Sequence, residues 1–170
     1  SAVFIVDTNF VLSHLRILDE MVVYAAVYRH VVVFPWTVIK ELDGLKNSTR
    51  VNMVKEKDNN KTTPQVVGQL ARRAGNWLFQ LFARTDPGVR GQKKDEKLEE
   101  AKLSPDDSIL DCCRFFRERT GVRTILLSND RNLCVKALVY SILTVTYVPG
   151  LTAQYILNRI LLPSHLFPES

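Results

Sequence analysis

Val3-Phe4-Ile5-Val6-Asp7-Thr8-Asn9 is the stretch on which the fold turns. Four consecutive apolar residues leave no polar face. The segment therefore reads as a strand buried on both sides, the pattern of a parallel sheet covered by helices. The run ends on an acid, and Thr8 stands where it can cap a helix from about Asn9 to His14, with more helix through Tyr28. Val31-Val32-Val33-Phe34, closed by Pro35, repeats the theme, as do Thr124-Ile125-Leu126-Leu127 and Thr144-Val145-Thr146-Tyr147-Val148. Helical spacing fills the intervals. Thr37 starts a helix with Val38, Leu42 and Leu45 on one face. Pro64 opens another through about Phe82, with Val67, Leu70, Ala74, Leu78 and Leu81 in register. Ser104-Pro105 begins a third with Ile109, Cys112, Cys113 and Phe116 inward, and a short one runs from Arg131 to about Val139. This alternation predicts a three-layer α/β/α fold around a central, mainly parallel sheet.

Two stretches interrupt the rhythm. Residues 46–63 are polar, with five basic residues against two acidic, and read as a basic loop. Residues 84–104 read as a charged loop, partly helical because its charges alternate in sign. The 170 residues suit one domain spanning 1–170. With 46% hydrophobic and 24% charged residues, collagen-like, coiled-coil and wholly disordered chains are excluded. No apolar run approaches the ~18 residues of a membrane span. The three cysteines, two of them adjacent at Cys112 and Cys113, are an odd and clustered set, which points to reduced thiols in an intracellular protein rather than a disulfide framework. The formal charge of +5 favours a polyanionic partner, nucleic acid before membrane.

In open α/β sheets ligands bind beyond the carboxyl ends of the strands. Asp7 and Asp130 both follow strands there and both precede helices, so each is equally explained as a helix cap. Ser104-Pro105-Asp106-Asp107 forms a capping box, for which only one of the two acids is needed. Glu41 lies on the helix after the second strand; Asp43, two residues on, turns to the other side. Four acids from distant segments, Asp7, Glu41, Asp107 and Asp130, with no histidine or cysteine among them, suit hard cations such as Mg²⁺ or Mn²⁺. His14, His30 and His165 show no zinc spacing. No Gly-x-Gly-x-x-Gly or Walker loop is present, so no nucleotide cofactor is expected.

Val6-Asp7-Thr8-Asn9, Glu41-Leu42-Asp43-Gly44-Leu45, Asp106-Asp107-Ser108-Ile109-Leu110 and Ser128-Asn129-Asp130-Arg131-Asn132-Leu133 resemble, in order, the four acidic motifs of PIN-domain ribonucleases. The strings 6–10 and 130–137 are similar to one branch of that family, the eukaryotic mRNA-surveillance endonucleases of nonsense-mediated decay and nuclear transcript quality control. The resemblance implies a PIN-like fold and a nuclear, metal-dependent endoribonuclease that hydrolyses single-stranded RNA to a 5′-phosphate and a 3′-hydroxyl. It implies that Asp7, Glu41, Asp107 and Asp130 are catalytic and hold one or two Mg²⁺ or Mn²⁺ ions. Asp106 is then an extra ligand or only the neighbour of one, and Asp111 a weaker candidate on the same face. Thr8 and Ser128 would hydrogen-bond ligands or phosphate, and Asn9 would fix the loop. Lys46, Arg50, Lys55, Lys57, Lys61, Arg72, Arg73 and Arg131 are the candidate RNA contacts. No aromatic platform near the motifs is expected to read bases. The competing reading is a catalytically silent PIN-like module that binds RNA or protein.

Overall fold

The computed structural model of the chain describes residues 1–55 and 62–162. Strand β1 (Ala2–Val6) is buried along its whole length, and Phe4, Ile5 and Val6 are fully shielded from water. Burying a side chain of this size contributes about 1.5–3 kcal/mol, so β1 is the natural centre of the core. It pairs in parallel with β2 (His30–Phe34) on one side and β6 (Arg123–Leu127) on the other. Two shorter edges complete a five-stranded sheet, β5 (Val89–Gly91) beside β2 and β7 (Leu143–Val145) beside β6. The order is β5-β2-β1-β6-β7 and every pairing is parallel. The three-layer α/β/α expectation thus holds.

The chain leaves β1 and runs first to β2, then returns to β6 on β1's far side, so strand order reverses at β1. The carboxyl ends of β1 and β6 therefore border a crevice that no helix crosses. Helices α1 (Thr8–Ser13), α2 (Leu15–Val23) and α3 (Ala25–Tyr28) link β1 to β2, and α4 (Trp36–Leu45) follows β2. Helix α5 (Val67–Ala83) packs against α4 and α1, and α6 (Pro105–Phe115) packs against α4, β1 and β6. Helix α6 runs into a π-helical turn, Phe116–Thr120, which ends at Gly121 with a φ of 70°. That conformation is costly for any residue with a Cβ. Helix α7 (Arg131–Val139) joins β6 to β7, and α8 (Ala153–Leu161) packs on α2.

Several boundaries differ from the sequence expectations. Asp7, not Thr8, caps α1, accepting the Phe10 amide at 2.8 Å. Pro64 does not open the long helix; it sits in β4 (Thr62–Val66), paired with β3 (Val51–Lys55) in an antiparallel ribbon separate from the main sheet. In a two-stranded ribbon a proline costs no sheet bond on its outer side. The basic 46–63 segment is thus partly a hairpin. The 84–104 segment contributes β5 and then an irregular strap, with no helix in it. Its alternating charges are used across the chain rather than along a helix: Arg90 grips Glu96 through two bonds of 2.7 Å, and Asp111 accepts the amides of Leu98 and Glu99 at 3.0 and 3.1 Å. Helix α8 has no counterpart in the sequence reading, although Thr152 caps it and Ile156, Leu157 and Ile160 are buried at helical spacing. Among the described residues no helix is long and apolar enough to cross a membrane.

Candidate functional site

The side chain that closes β1 anchors the site. Asp7 is 5% exposed, and one of its oxygens holds the Phe10 amide while the other accepts from the fully buried Ser128 hydroxyl. Ser128 also accepts the Asp130 amide at 3.0 Å, so a single hydroxyl joins the ends of β1 and β6. Asp130 caps α7 by accepting the Leu133 amide at 3.1 Å. Capping and placement in the crevice are therefore one arrangement: each cap commits one carboxylate oxygen to the helix, and the second oxygen of Asp7 accepts from Ser128.

Across the crevice stand Glu41 from α4 and Asp106 from the first turn of α6. Burial pushes the Asp7 carboxyl above its ordinary range, and the nearby charges of Asp130 and Asp106 push it further, against the pull of Ser128 and the Phe10 amide. Burial likewise raises Glu41, with Asp106 adding to it and the Thr8 hydroxyl opposing. That hydroxyl is itself buried and, among the described residues, has no partner in good hydrogen-bond geometry. Burial and the charge of Asp130 raise Asp106, against the opposing pull of Lys136. Asp7, Glu41, Asp106 and Asp130 thus form one electrostatically coupled set of carboxylates, with Lys136 at its edge pulling Asp106 down without offsetting burial and the charge of Asp130 there.

Asp107 behaves differently. It is paired at 3.0 Å with Lys136 of α7, which holds its carboxyl below the ordinary range, and its amide closes the cap on Ser104. The sequence reading carried Asp107 as the ligand and Asp106 as the ambiguous neighbour. The structure turns Asp106 towards the other acids and Asp107 towards the lysine, because successive helical residues point about 100° apart. Asp111 faces away from the crevice and ties down the strap. Asp43 is on the opposite side of α4, paired with Lys46 at 3.1 Å. Asn9 is exposed on the first turn of α1. Among the described residues, no three Asp, Glu, His or Cys side chains stand in ready metal-ligating geometry. Mutual repulsion keeps uncompensated carboxylates apart, and an all-oxygen acidic set of this kind suits a hard divalent cation.

Two features escaped the sequence reading. Asn129, between the β6 end and Asp130, accepts the Tyr147 amide at 2.7 Å and reaches the His14 ring at 3.2 Å. His14 in turn stacks on Tyr147 with ring centres 3.9 Å apart. Burial there lowers the His14 imidazole to about 4. Beside this stack lies a cleft of about 380 Å³ that includes Arg73. The only sequence signal for it was that Asn129 sits inside the last motif. Of the other basic candidates, Lys46 and Arg72 are engaged with Asp43 and the Lys46 carbonyl, while Arg50 and Arg131 are exposed. Lys55 lies in β3, and Lys57 and Lys61 fall outside the described residues.

Comparison with known proteins agrees with this architecture. The family described as PIN domain matches residues 4–148. The transcriptional protein SWT1 of Saccharomyces cerevisiae is 42% identical over 156 residues, covering 92% of this chain and 34% of the yeast protein. The protein of the same name in Schizosaccharomyces pombe is 38% identical over 157 residues, covering 91% and 30% respectively. The chain therefore spans about a third of the length of these relatives. Among solved structures, the PIN domain of human SMG5 superimposes with a TM-score of 0.51 at 17% identity, over 92% of this chain and 97% of that one.

Proposed function

The chain belongs to the PIN-domain family, and on that premise we propose that it is a metal-dependent endoribonuclease acting on single-stranded RNA in nuclear mRNA surveillance. The observation that carries the reading is the coupled set Asp7, Glu41, Asp106 and Asp130 at the point where strand order reverses, with burial and like charges raising three of them. Asp7 is buried, Glu41 and Asp130 are half-buried and Asp106 is exposed, and holding such like charges near one another costs free energy that stability alone does not explain. The donor chemistry fits Mg²⁺ or Mn²⁺, held by these four acids with Asp107 at the rim. Such an ion supplies Lewis-acid neutralisation of charge building on the phosphoryl oxygens and eases deprotonation of the attacking water.

The chain's own groups do the positioning. Ser128 donates to the Asp7 carboxylate and accepts the Asp130 amide, so the Asp7 carboxyl is tied to the backbone that carries Asp130. The Phe10 amide fixes the rotation of Asp7, and the Leu133 amide that of Asp130. The unpartnered Thr8 hydroxyl faces Glu41 and is available to donate when that carboxyl is ionised. Lys136 neutralises Asp107 and keeps it from adding a fifth negative charge where phosphate must approach. The test is cleavage of a labelled linear and a circular single-stranded RNA with Mn²⁺, Mg²⁺ or chelator. Cleavage of the circle that needs the divalent ion and disappears in Asp130→Asn supports the reading. RNA binding without turnover in either metal would leave a silent RNA-binding module in its place.

A further inference from the structure

A cleft of about 940 Å³ is lined by sequence neighbours of two crevice acids, Lys40 beside Glu41 and Pro105 beside Asp106, and by none of the four acids themselves. One wall is α4, where Trp36 and Lys40 share a face one turn apart, and Lys40 immediately precedes Glu41. The other wall is the strap, which supplies Lys93, Lys94, Lys97 and Lys102 before the chain enters α6 at Pro105, next to Asp106. Trp36 is 58% exposed, a large apolar side chain that the fold leaves unburied. Its backbone is nonetheless fixed, because its amide donates to Gln92 at 2.9 Å and Gln92 donates to the Glu96 carbonyl at 2.7 Å.

The strap is equally well held. Glu96 is gripped by Arg90 and by the Lys93 amide, and Asp111 holds the amides of residues 98 and 99. The lysines are thus displayed on a fixed scaffold. Of the acids lining the cleft, Asp111 is spent on those amides and Glu100 lies 3.8 Å from Lys97, leaving Glu99 against the remaining cations. Lys40, Lys94 and Lys102 have no ion pair among the described residues. Lysines flanking an exposed indole on a fixed backbone are the chemistry that takes a single nucleic-acid strand: the cations meet phosphates, and the ring stacks on a base whatever its identity. A duplex would offer no free base face to the indole.

We propose that this cleft is the track along which single-stranded RNA reaches the carboxylates, with Trp36 stacking one base and Lys40, Lys93, Lys94 and Lys102 contacting its backbone. The proposal rests on the ribonuclease reading of the acidic site and gives that site its substrate path. It keeps the expectation that no aromatic platform near the motifs reads bases, and adds a stack that is indifferent to base identity. The bases would be gripped without being read, so binding should tolerate most sequences.

The test uses a fluorescein-labelled 12-nucleotide oligouridine in chelator, with anisotropy measured over a salt series. Trp36→Ala should weaken binding about tenfold, and Trp36→Phe should restore most of it, within the range for base–aromatic stacking. Replacing Lys94 and Lys102 together by alanine should flatten the log–log salt slope by about 1.4, at roughly 0.7 per phosphate contact. Asp130→Asn should keep RNA binding and its dependence on Trp36 while losing cleavage. Wild-type affinity and slope in the cleft variants, with RNA still cut by the unaltered protein, would overturn the track and leave the ribonuclease reading standing. No RNA binding by the unaltered protein would overturn both. A tryptophan-fluorescence response to polyglutamate but not to RNA, lost in Trp36→Phe, would assign the cleft to an acidic protein partner and overturn the proposal.

Discussion

Asp7 and Glu96 are both largely hidden carboxylates, one 5% exposed and the other with a side chain 14% exposed, yet the fold treats them in opposite ways. Glu96 is surrounded by donors: the Arg90 guanidinium grips it through two bonds and the Lys93 amide adds a third, which holds its carboxyl below the ordinary range. Asp7 has an amide and a hydroxyl, but burial and two further acids outweigh them and its carboxyl is raised. The strap acids are there to be satisfied. The crevice acids outnumber the positive charge beside them, Lys136 at the edge of Asp106, and that difference separates an acid that builds from an acid set to work.

The largest expected effect breaks the crevice side of this contrast. Asp7→Asn or Asp130→Asn should cut the cleavage rate by at least about a hundredfold, since metal ligation supplies several kcal/mol of transition-state stabilisation. The fold should survive, because asparagine caps a helix nearly as well as aspartate. In chelator at pH 7, Asp7→Asn should raise the melting temperature by roughly 2–4 °C per kcal/mol of repulsion removed. The sign follows from the raised carboxyl. The folded state binds the proton more tightly than the unfolded chain, so stability falls as pH rises past 3.8, and the amide removes that loss. A neutral or lowered melting temperature would mean that the crevice acids are compensated after all.

The strap side should break in the opposite sense. Glu96→Gln leaves Arg90 without its charged partner and should cost about 1–3 kcal/mol, read by denaturant unfolding. Here the carboxyl is lowered by its partners, so the stability it contributes is present above 4.5 and lost as pH falls. Asp111→Asn should cost about 1 kcal/mol or more, because an amide cannot accept from the residue 98 and 99 amides with both atoms.

Asp106 and Asp107 make the contrast between adjacent residues. Asp106→Asn should lower the divalent-ion-dependent cleavage rate more than Asp107→Asn, whose change should be confined to the exposed ion pair with Lys136 and cost less than about 1 kcal/mol. Equal losses of rate would return Asp107 to the ligand set. The smallest effect concerns His14. Its folded value of about 4 lies below the ordinary 6.5, so the unfolded chain takes the proton first and stability is lost as pH falls from 6.5 towards 4. A melting-temperature profile over that window should be shallower in His14→Phe, which keeps a ring on Tyr147 without a group to protonate.

What was legible in the sequence was what chain-local physics dictates. The buried runs of β1, β2 and β6 admit no amphipathic face and so had to be inner strands. Ser104-Pro105 had to open a helix, and an acid after a parallel strand had to lie at the carboxyl edge. Motif order could name the acids of the crevice but not their directions. Whether Asp106 or Asp107 looks inward depends on how α6 is rotated against α4 and α7, and tertiary packing sets that angle. The 84–104 segment shows the same division. Its charges are plain in the sequence, but Arg90 finds Glu96, Asp111 finds residues 98 and 99, and Trp36 finds Gln92 only once β5 is laid beside β2. Sequence alone determined which residue types were present and which strands lay in the core, because burial follows from apolar runs. Tertiary structure decided which acids of the crevice face one another and which meets Lys136, because those contacts join residues far apart in the chain and depend on how the helices are rotated against each other.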